Sequence, residues 1–242
     1  MAPTTEGERA VILLHGLGRG RGRAVMRRME RALLTAGWVV ANVGYPSLRR
    51  PLAHHAEAVR GIARTMHADG AREIALVAHS LGGLVARMAA AGAAADGWKL
   101  GRIVLLGSPA QGSIVAQALK DFAPFRIIAG DCGQAVTPLQ AVKVPVPATE
   151  IAVIAGGNGN AGYNPFLDGD NDGVLTVAET RLPGMEADFL ILRSIHTMLP
   201  LRRDAVAATV RFLDTGRLGG PPVSAPKSSA RKPRPWQARS HS

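Results

Sequence analysis

Ser80 lies in the stretch AHSLGG, where the apolar run IALVAH meets an alanine-rich segment. The residues two positions before and after it, Ala78 and Gly82, are small, as a sharp strand-to-helix turn requires. Alanine stands where the usual Gly-x-Ser-x-Gly pattern has its first glycine. Such a turn lifts a serine hydroxyl to a helix N-terminus, where developing negative charge is favoured. Ser80 is therefore a candidate nucleophile, and a simple helix N-cap is the alternative.

A histidine base must accompany such a serine, because a serine hydroxyl is a weak nucleophile. In a strand–turn–helix arrangement the chain order is serine, acid, histidine. Only His196 and His241 follow Ser80. His241 falls in a segment expected to be disordered, whereas His196 follows the apolar run ADFLILRSI and should lie at the carboxyl end of a strand. We therefore predict His196 as the base, and we interpret His15, which precedes Ser80, as a support for its own loop.

An acid that orients the histidine is expected between these two residues, after the apolar run TEIAVIAGG. Asp168, Asp170 and Asp172 follow that run. We favour Asp172, because NDGVLTVAET places an acid and a glycine before an apolar stretch, and Asp170 is the second choice.

The same segment, Asp168 to Glu179, matches the calcium-loop pattern D-x-D-x-D-G-x5-E in full. Three aspartates and Glu179 could supply oxygen ligands. An EF-hand also needs a helix on each side, and glycine and proline interrupt both flanks. We therefore expect no metal site. A non-catalytic calcium-binding or interaction protein remains the alternative from another class, and it competes for Asp172.

Two backbone N–H groups are needed to stabilise a tetrahedral oxyanion. We predict that Leu81, next to the serine, supplies one, and that Leu17, after the first apolar run, supplies the other. The stretch GLGRGRG, which contains Leu17, lacks the Gly-Lys-Ser/Thr ending of a phosphate-binding loop and the spacing of a dinucleotide-binding loop. No cofactor is therefore expected.

Six continuous apolar runs alternate with helical segments, which predicts a mostly parallel sheet of about six strands with helices on both faces. This is a three-layer α/β fold, and ligands in such folds bind at the carboxyl ends of the strands. Residues 1–215 form the predicted domain, in which residues 110–149 would provide only a minimal cap. Residues 216–242 are basic and rich in Pro and Ser, and are expected to be disordered.

Taken together, these motifs resemble the small bacterial α/β-hydrolase lipases and esterases. The pieces that carry the resemblance are HGLGR, AHSLGG, LLGSPAQGS, IAGG with NPF, NDGVLTVAETRLPGMEADFL and SIHTML. The resemblance implies an α/β-hydrolase fold and cofactor-free hydrolysis of carboxylic, acyl or lipid-like esters through Ser80, Asp172 and His196. It also implies Leu17 and Leu81 as oxyanion donors. An acyltransferase or thioesterase using the same three residues is the alternative enzyme.

The net charge of +11 does not indicate a specific nucleic-acid partner, since six of the basic residues lie in residues 216–242, which have no acids. Such a tail allows weak contact with anionic surfaces. No apolar run is long enough to span a bilayer. The N-terminus lacks a signal-peptide pattern, so a cytoplasmic protein is expected. No pattern indicates an oligomeric state. The lone Cys132 is expected to be a buried thiol.

Four other histidines flank the predicted elements. His54, His55 and His67 lie on a predicted surface helix, and we expect them to be solvated. His79 precedes the serine and should line the site, without an assigned role.

Overall fold

The computed structural model describes residues 8–17, 22–119, 121, 135–185, 187–219 and 235–236. Within them, six strands form a single sheet in the order β2-β1-β3-β4-β5-β6, and every pairing is parallel. The predicted parallel sheet of about six strands is thus confirmed. The strands are β1 (Glu8–Leu14), β2 (Val39–Val43), β3 (Ala71–His79), β4 (Leu100–Leu106), β5 (Ile151–Gly157) and β6 (Asp188–Arg193).

Helices cover both faces of the sheet. They are α1 (Gly22–Val25), α2 (Arg27–Thr35), α3 (Leu52–Ala68), α4 (Gly82–Ala91), α5 (Ile114–Leu119), α6 (Pro138–Ala141) and α7 (Arg203–Thr215). The helix predicted from residue 22 to 36 is divided at Met26. The helix predicted from residue 200 begins at Arg203, because His196–Leu201 forms a 3-10 helix that contains Pro200. Among the described helices, none combines the length and apolar composition needed to cross a membrane.

Two apolar cores lie on opposite faces of the sheet, and β1 contributes to both. Ile12 and Leu14 pack on the α3 and α4 side, whereas Val11 and Leu13 pack on the α2 and α7 side. Successive side chains of a strand point to opposite faces, so a strand buried on both faces must be apolar throughout. The continuous apolar runs of the sequence have this origin.

The stretch 110–149, predicted as a minimal cap, contains α5 and α6 among its described residues. Arg87 of α4 is fully buried beneath it. Its guanidinium donates hydrogen bonds to the carbonyl oxygens of Ala110, Val144 and Pro145. Burial lowers the pKa of Arg87 to about 10, so the side chain stays charged at neutral pH. Arg87 therefore ties both ends of this stretch to the helix that follows the serine. Cys132 lies outside the described residues.

The C-terminal segment is described only in part. Gly216 ends α7 in the left-handed conformation, with φ of 76°. Pro235 forms a parallel bridge with Val40, and the Trp236 backbone N–H donates to the Val40 carbonyl oxygen at 2.8 Å. These two residues therefore lie against the outer edge of β2. Residues 220–234 and 237–242, which include His241, lie outside the described residues. The disorder expected there therefore stays a prediction.

Candidate active site

Ser80 occupies the turn between β3 and α4 in a left-handed conformation, with φ of 56°. This conformation is strained for a residue with a side chain. Its N–H donates to the Leu106 carbonyl oxygen at 2.9 Å, and its carbonyl oxygen accepts from the Gly83 N–H at 2.9 Å. A Cβ atom on Gly82 would lie 2.6 Å from the His15 carbonyl oxygen. The small residues of AHSLGG are thus required because the turn packs against the end of β1.

Three predicted side chains meet above this turn. The Ser80 Oγ lies 3.0 Å from His196 Nε2, and His196 Nδ1 lies 2.7 Å from Asp172 Oδ2. The side chains of His196 and Asp172 are 10% and 1% exposed, respectively. An ionised Asp172 can only accept a hydrogen bond, so His196 Nδ1 must carry the proton in the neutral ring and donate it to Asp172. The other nitrogen, Nε2, is then free to accept the serine proton. The arrangement can therefore remove a proton from Ser80.

The acid is fixed by more than its histidine contact. Asp172 Oδ1 accepts hydrogen bonds from the N–H groups of Val174 at 3.0 Å and Leu175 at 2.8 Å. Its carbonyl oxygen accepts from the His196 backbone N–H at 2.9 Å. The second choice, Asp170, instead accepts from the N–H groups of Asn158 at 2.8 Å and Gly159 at 3.1 Å. Asp170 therefore shapes the loop, while Asp172 faces the histidine.

The calcium-loop motif does not assemble into a cation site. Glu179 accepts from the Ile114 N–H at 2.5 Å through Oε1 and from the Thr176 N–H at 2.6 Å through Oε2. Asp168 is exposed, and the carboxylates of Asp170 and Asp172 face different partners. Across the described parts of the chain, no group of three His, Cys, Asp or Glu residues is arranged to hold a metal ion.

The two predicted oxyanion donors flank the serine. Leu81 follows it directly, and Leu17 follows Gly16, where a Cβ atom would lie 2.7 Å from Ser80 Cβ. The loop after β1 therefore runs directly beside the serine. In the described part of the chain, neither the Leu81 N–H nor the Leu17 N–H has a hydrogen-bond acceptor. Both donors are available to a bound oxygen.

Tyr45 fixes the loop that carries Gly16 and Leu17. Its hydroxyl donates to the His15 carbonyl oxygen, and its ring stacks on the His15 ring with centroids 4.3 Å apart. His15 Nδ1 in turn donates to the Gly16 carbonyl oxygen at 2.7 Å. Burial lowers the pKa of His15. The supporting role expected for His15 agrees with this geometry. Sequence reasoning missed Tyr45, although its place just after β2, at the carboxyl edge of the sheet, was a usable signal.

His55 corrects one expectation. It was expected to be solvated on a surface helix, but it is only 2% exposed. Its ring lies 5.0 Å from the Tyr45 ring, and its Nε2 bonds to the Arg49 carbonyl oxygen at 2.8 Å. Adjacent residues of a helix point in different directions, so the neighbouring His54 is exposed while His55 faces inward. His55 thereby supports Tyr45.

His79 lies beneath the catalytic candidates. Its Nε2 donates to the His196 backbone carbonyl oxygen at 3.1 Å, and the two rings lie 4.9 Å apart. Burial lowers the pKa of His79 to about 3, and the nearby His196 adds to this effect. His79 therefore stays neutral above about pH 4 and holds the main chain of His196 in position. Its role could not be assigned from sequence because the contact spans more than a hundred residues.

Comparisons with known proteins agree with this architecture. A model of the PGAP1-like alpha/beta domain family matches residues 41–125. The lipase BlEst2 from Bacillus licheniformis, in its mature form, superposes with a TM-score of 0.67 at 17% identity, covering 88% of this chain and 93% of the lipase. The product of the Listeria innocua gene lin2722 gives a TM-score of 0.60 at 18% identity, covering 86% and 94% of the two chains.

A third similar structure is the thioesterase domain of NocB, solved as a covalent complex with a fluorophosphonate analogue of nocardicin G. Its TM-score is 0.53 at 19% identity, covering 89% of this chain and 96% of that domain. A search of curated protein sequences gives no match. The parallel six-stranded sheet and these likenesses define the α/β-hydrolase fold, with structural neighbours among bacterial lipases and esterases.

Proposed function

We propose that this protein is a serine hydrolase that cleaves carboxylic esters through an acyl-enzyme intermediate. The observation that carries the proposal is the continuous hydrogen-bonded chain from Ser80 Oγ through His196 to Asp172. It lies at the carboxyl ends of the strands, where α/β folds bind their ligands. Ser80 is the nucleophile, His196 is the base and then the acid, and Asp172 orients the imidazole.

Acylation begins when Ser80 Oγ attacks the acyl carbon and its proton passes to His196 Nε2. Asp172 stabilises the imidazolium that forms. As the tetrahedral intermediate collapses, the bond between the acyl carbon and the alcohol oxygen breaks, and Nε2 gives its proton to the leaving alcohol. In the second half, His196 takes a proton from water as the water oxygen attacks the acyl carbon. The bond between the acyl carbon and Ser80 Oγ then breaks, His196 Nε2 returns the proton to Oγ, and the acid leaves.

The developing oxyanion is stabilised by the backbone N–H groups of Leu17 and Leu81. Their free N–H groups support this role, and so does the start of α4 at Gly82, whose dipole favours negative charge near the serine. Donors held by the backbone need no reorganisation during the reaction. Loss of one such donor typically costs about a hundredfold or more in rate.

Apolar side chains support an acyl substrate. Several exposed ones lie in the segments that follow the carboxyl ends of the strands, on the edge of the sheet where Ser80 lies: Leu17, Ile114, Phe166, Val174, Ile195 and Met198. Such side chains favour an apolar acyl group over a charged one.

Thioester cleavage or acyl transfer by the same three residues is the second candidate function. The observation that favours it is the likeness to the NocB thioesterase domain. The chemistry differs only in the leaving group or in the acceptor that attacks the acyl-enzyme.

Turnover of nitrophenyl esters with acyl chains from two to sixteen carbons, by the intact protein and by Ser80→Ala, tests the proposal. We expect hydrolysis that is lost in the variant, and a chain-length profile that separates an esterase from a lipase. A matched acyl thioester and an added alcohol form two further arms. Retained turnover in Ser80→Ala would refute the assignment. Turnover of the thioester alone, or transfer that outpaces hydrolysis, would favour the second candidate.

A further inference from the structure

A groove of about 590 Å³ lies between α2 and α7, on the face of the sheet opposite to α3 and α4. None of the residues proposed for ester cleavage lines it. This volume falls in the range of small-molecule sites, about 300–1,000 Å³. The lining residues are Arg28, Arg31, Ala32, Thr35, Arg203, Val206, Ala207, Val210 and Arg211.

The lining follows helical spacing on both walls. On α7, residues 203, 206, 207 and 210 line the groove, and on α2 residues 28, 31, 32 and 35 do so. Positions three, four and seven apart lie on one face of a helix. Each helix therefore presents one stripe in which arginine is combined with Ala, Val or Thr side chains. The lining therefore combines four arginines with four apolar side chains, those of Ala32, Val206, Ala207 and Val210.

Among the described residues, the four groove arginines have no acidic partner. Within the described residues, no carboxylate lies within 4 Å of Arg28, Arg31, Arg203 or Arg211, whereas elsewhere arginines such as Arg9 pair closely with an acid. Arg28 donates to the Leu201 carbonyl oxygen, and Arg211 Nη1 donates to the Leu218 carbonyl oxygen at 2.8 Å. Like charges around one groove repel each other, and a bound anion would relieve this repulsion.

We propose that this groove binds a single-chain anionic amphiphile, a long-chain carboxylate, at a site separate from the proposed ester-cleaving site. Guanidinium groups bind carboxylates in a planar, two-pronged geometry, which a neutral head group cannot provide. Ala32, Val206, Ala207 and Val210 give the alkyl chain an apolar surface. A long-chain carboxylate would use both kinds of lining side chain, whereas a simple anion needs only the arginines and a neutral lipid only the apolar side chains.

Calorimetric titration of the intact protein with monomeric laurate tests the proposal. The groove variant is Arg31→Gln with Arg203→Gln, since both residues are exposed and make no hydrogen bond to another described residue through their side chains. The control is Arg27→Gln with Arg217→Gln, which removes the same charge from exposed positions outside the groove. We expect the groove variant to bind laurate on the order of tenfold more weakly, and the control to bind it like the parent.

Titrations with dodecanol, inorganic phosphate and phosphatidylglycerol vesicles identify the ligand chemistry. Dodecanol, which has the chain without the charge, should bind on the order of tenfold more weakly than laurate, and inorganic phosphate should bind more weakly still. Nitrophenyl ester turnover should be the same in the groove variant and its control, which separates this site from the proposed function. Equal laurate affinity in the two variants would overturn the proposal. So would equal affinity for dodecanol or phosphate, or binding to phosphatidylglycerol vesicles without binding to laurate.

Discussion

Two regions, residues 74–83 with the serine and residues 158–179 with the acid, hold their side chains by different means. Residues 74–83 run along a strand and enter a helix, and Ser80 is fixed there by main-chain hydrogen bonds such as that from its N–H to the Leu106 carbonyl oxygen. Its neighbours are small because other segments approach them closely. This region is therefore sensitive to added atoms.

Residues 158–179 have little regular structure, and polar side chains hold them together. Asn171, which is fully buried, accepts hydrogen bonds from three backbone N–H groups through Oδ1. Its Nδ2, which carries two hydrogens, lies 3.0 to 3.1 Å from three carbonyl oxygens to which it can donate. Asp170 and Asn158 each bind further backbone groups. This region is therefore sensitive to removed polar atoms. Two kinds of substitution should thus separate the two regions.

The largest effect is expected for Asp172→Asn. An amide cannot hold the His196 Nδ1–H as a carboxylate does, and kcat should fall by about 10³ to 10⁴ while the fold is retained. Asp170→Asn is the matched control, because it makes the same chemical change two residues away and faces only loop N–H groups. Its kcat should change less than tenfold. Kinetics of both purified variants decide the point, and a larger loss in Asp170→Asn would move the acid to Asp170.

Asn171→Ala should come next, with a loss of about 3 kcal/mol in the free energy of unfolding, since several buried backbone groups lose their partner. Because the neighbouring Asp172 depends on this loop, turnover should fall as well. Asn160→Ala is the control, since the Asn160 side chain is exposed. Urea denaturation measures the difference, and equal stability of the two variants would show that the side-chain network does not hold the loop.

Gly83→Ala tests whether residues 74–83 are sensitive to added atoms. Its Cβ atom would lie 2.0 Å from the buried Ser108 Oγ, so about 1–3 kcal/mol of stability should be lost. Gly61→Ala is the matched control, because a Cβ on this glycine of α3 meets nothing closer than 3.6 Å. That variant should gain roughly 0.5–1 kcal/mol in the free energy of unfolding, as replacement of a helical glycine by alanine usually does. Denaturant titrations that place both variants on the same side of the parent would contradict the packing argument.

The last prediction is a pH dependence of stability that arises at His79. Its pKa is lowered to about 3 in the folded protein, whereas the unfolded chain takes up this proton near pH 6.5. Stability from this group is therefore complete above pH 6.5 and falls as the pH drops towards 3, by at most about 1.4 kcal/mol per pH unit. His79→Gln should show a shallower decline than the parent between pH 6.5 and 4.5. Parallel stability curves for the two proteins would exclude this contribution.

The sequence predicted the features that depend on local pattern. Continuous apolar runs indicated strands buried on both faces, and the small residues around Ser80 indicated its turn. The sequence did not predict features that depend on contacts between residues far apart in the chain. Tyr45 and His15 meet across neighbouring strands. Whether His54 or His55 faces inward depends on how α3 is oriented about its own axis, which the sequence pattern did not determine. The choice between Asp170 and Asp172 rested on a weak local pattern, because only the folded loop separates their directions.

The central claim is that Ser80 is the nucleophile, and covalent labelling tests it most directly. The intact protein would be treated with an alkyl fluorophosphonate, and the modified peptide located by mass spectrometry. The account predicts one phosphonyl group per chain on Ser80, little labelling in His196→Ala and none in Ser80→Ala. Labelling of another serine, or equal labelling in Ser80→Ala, would contradict it.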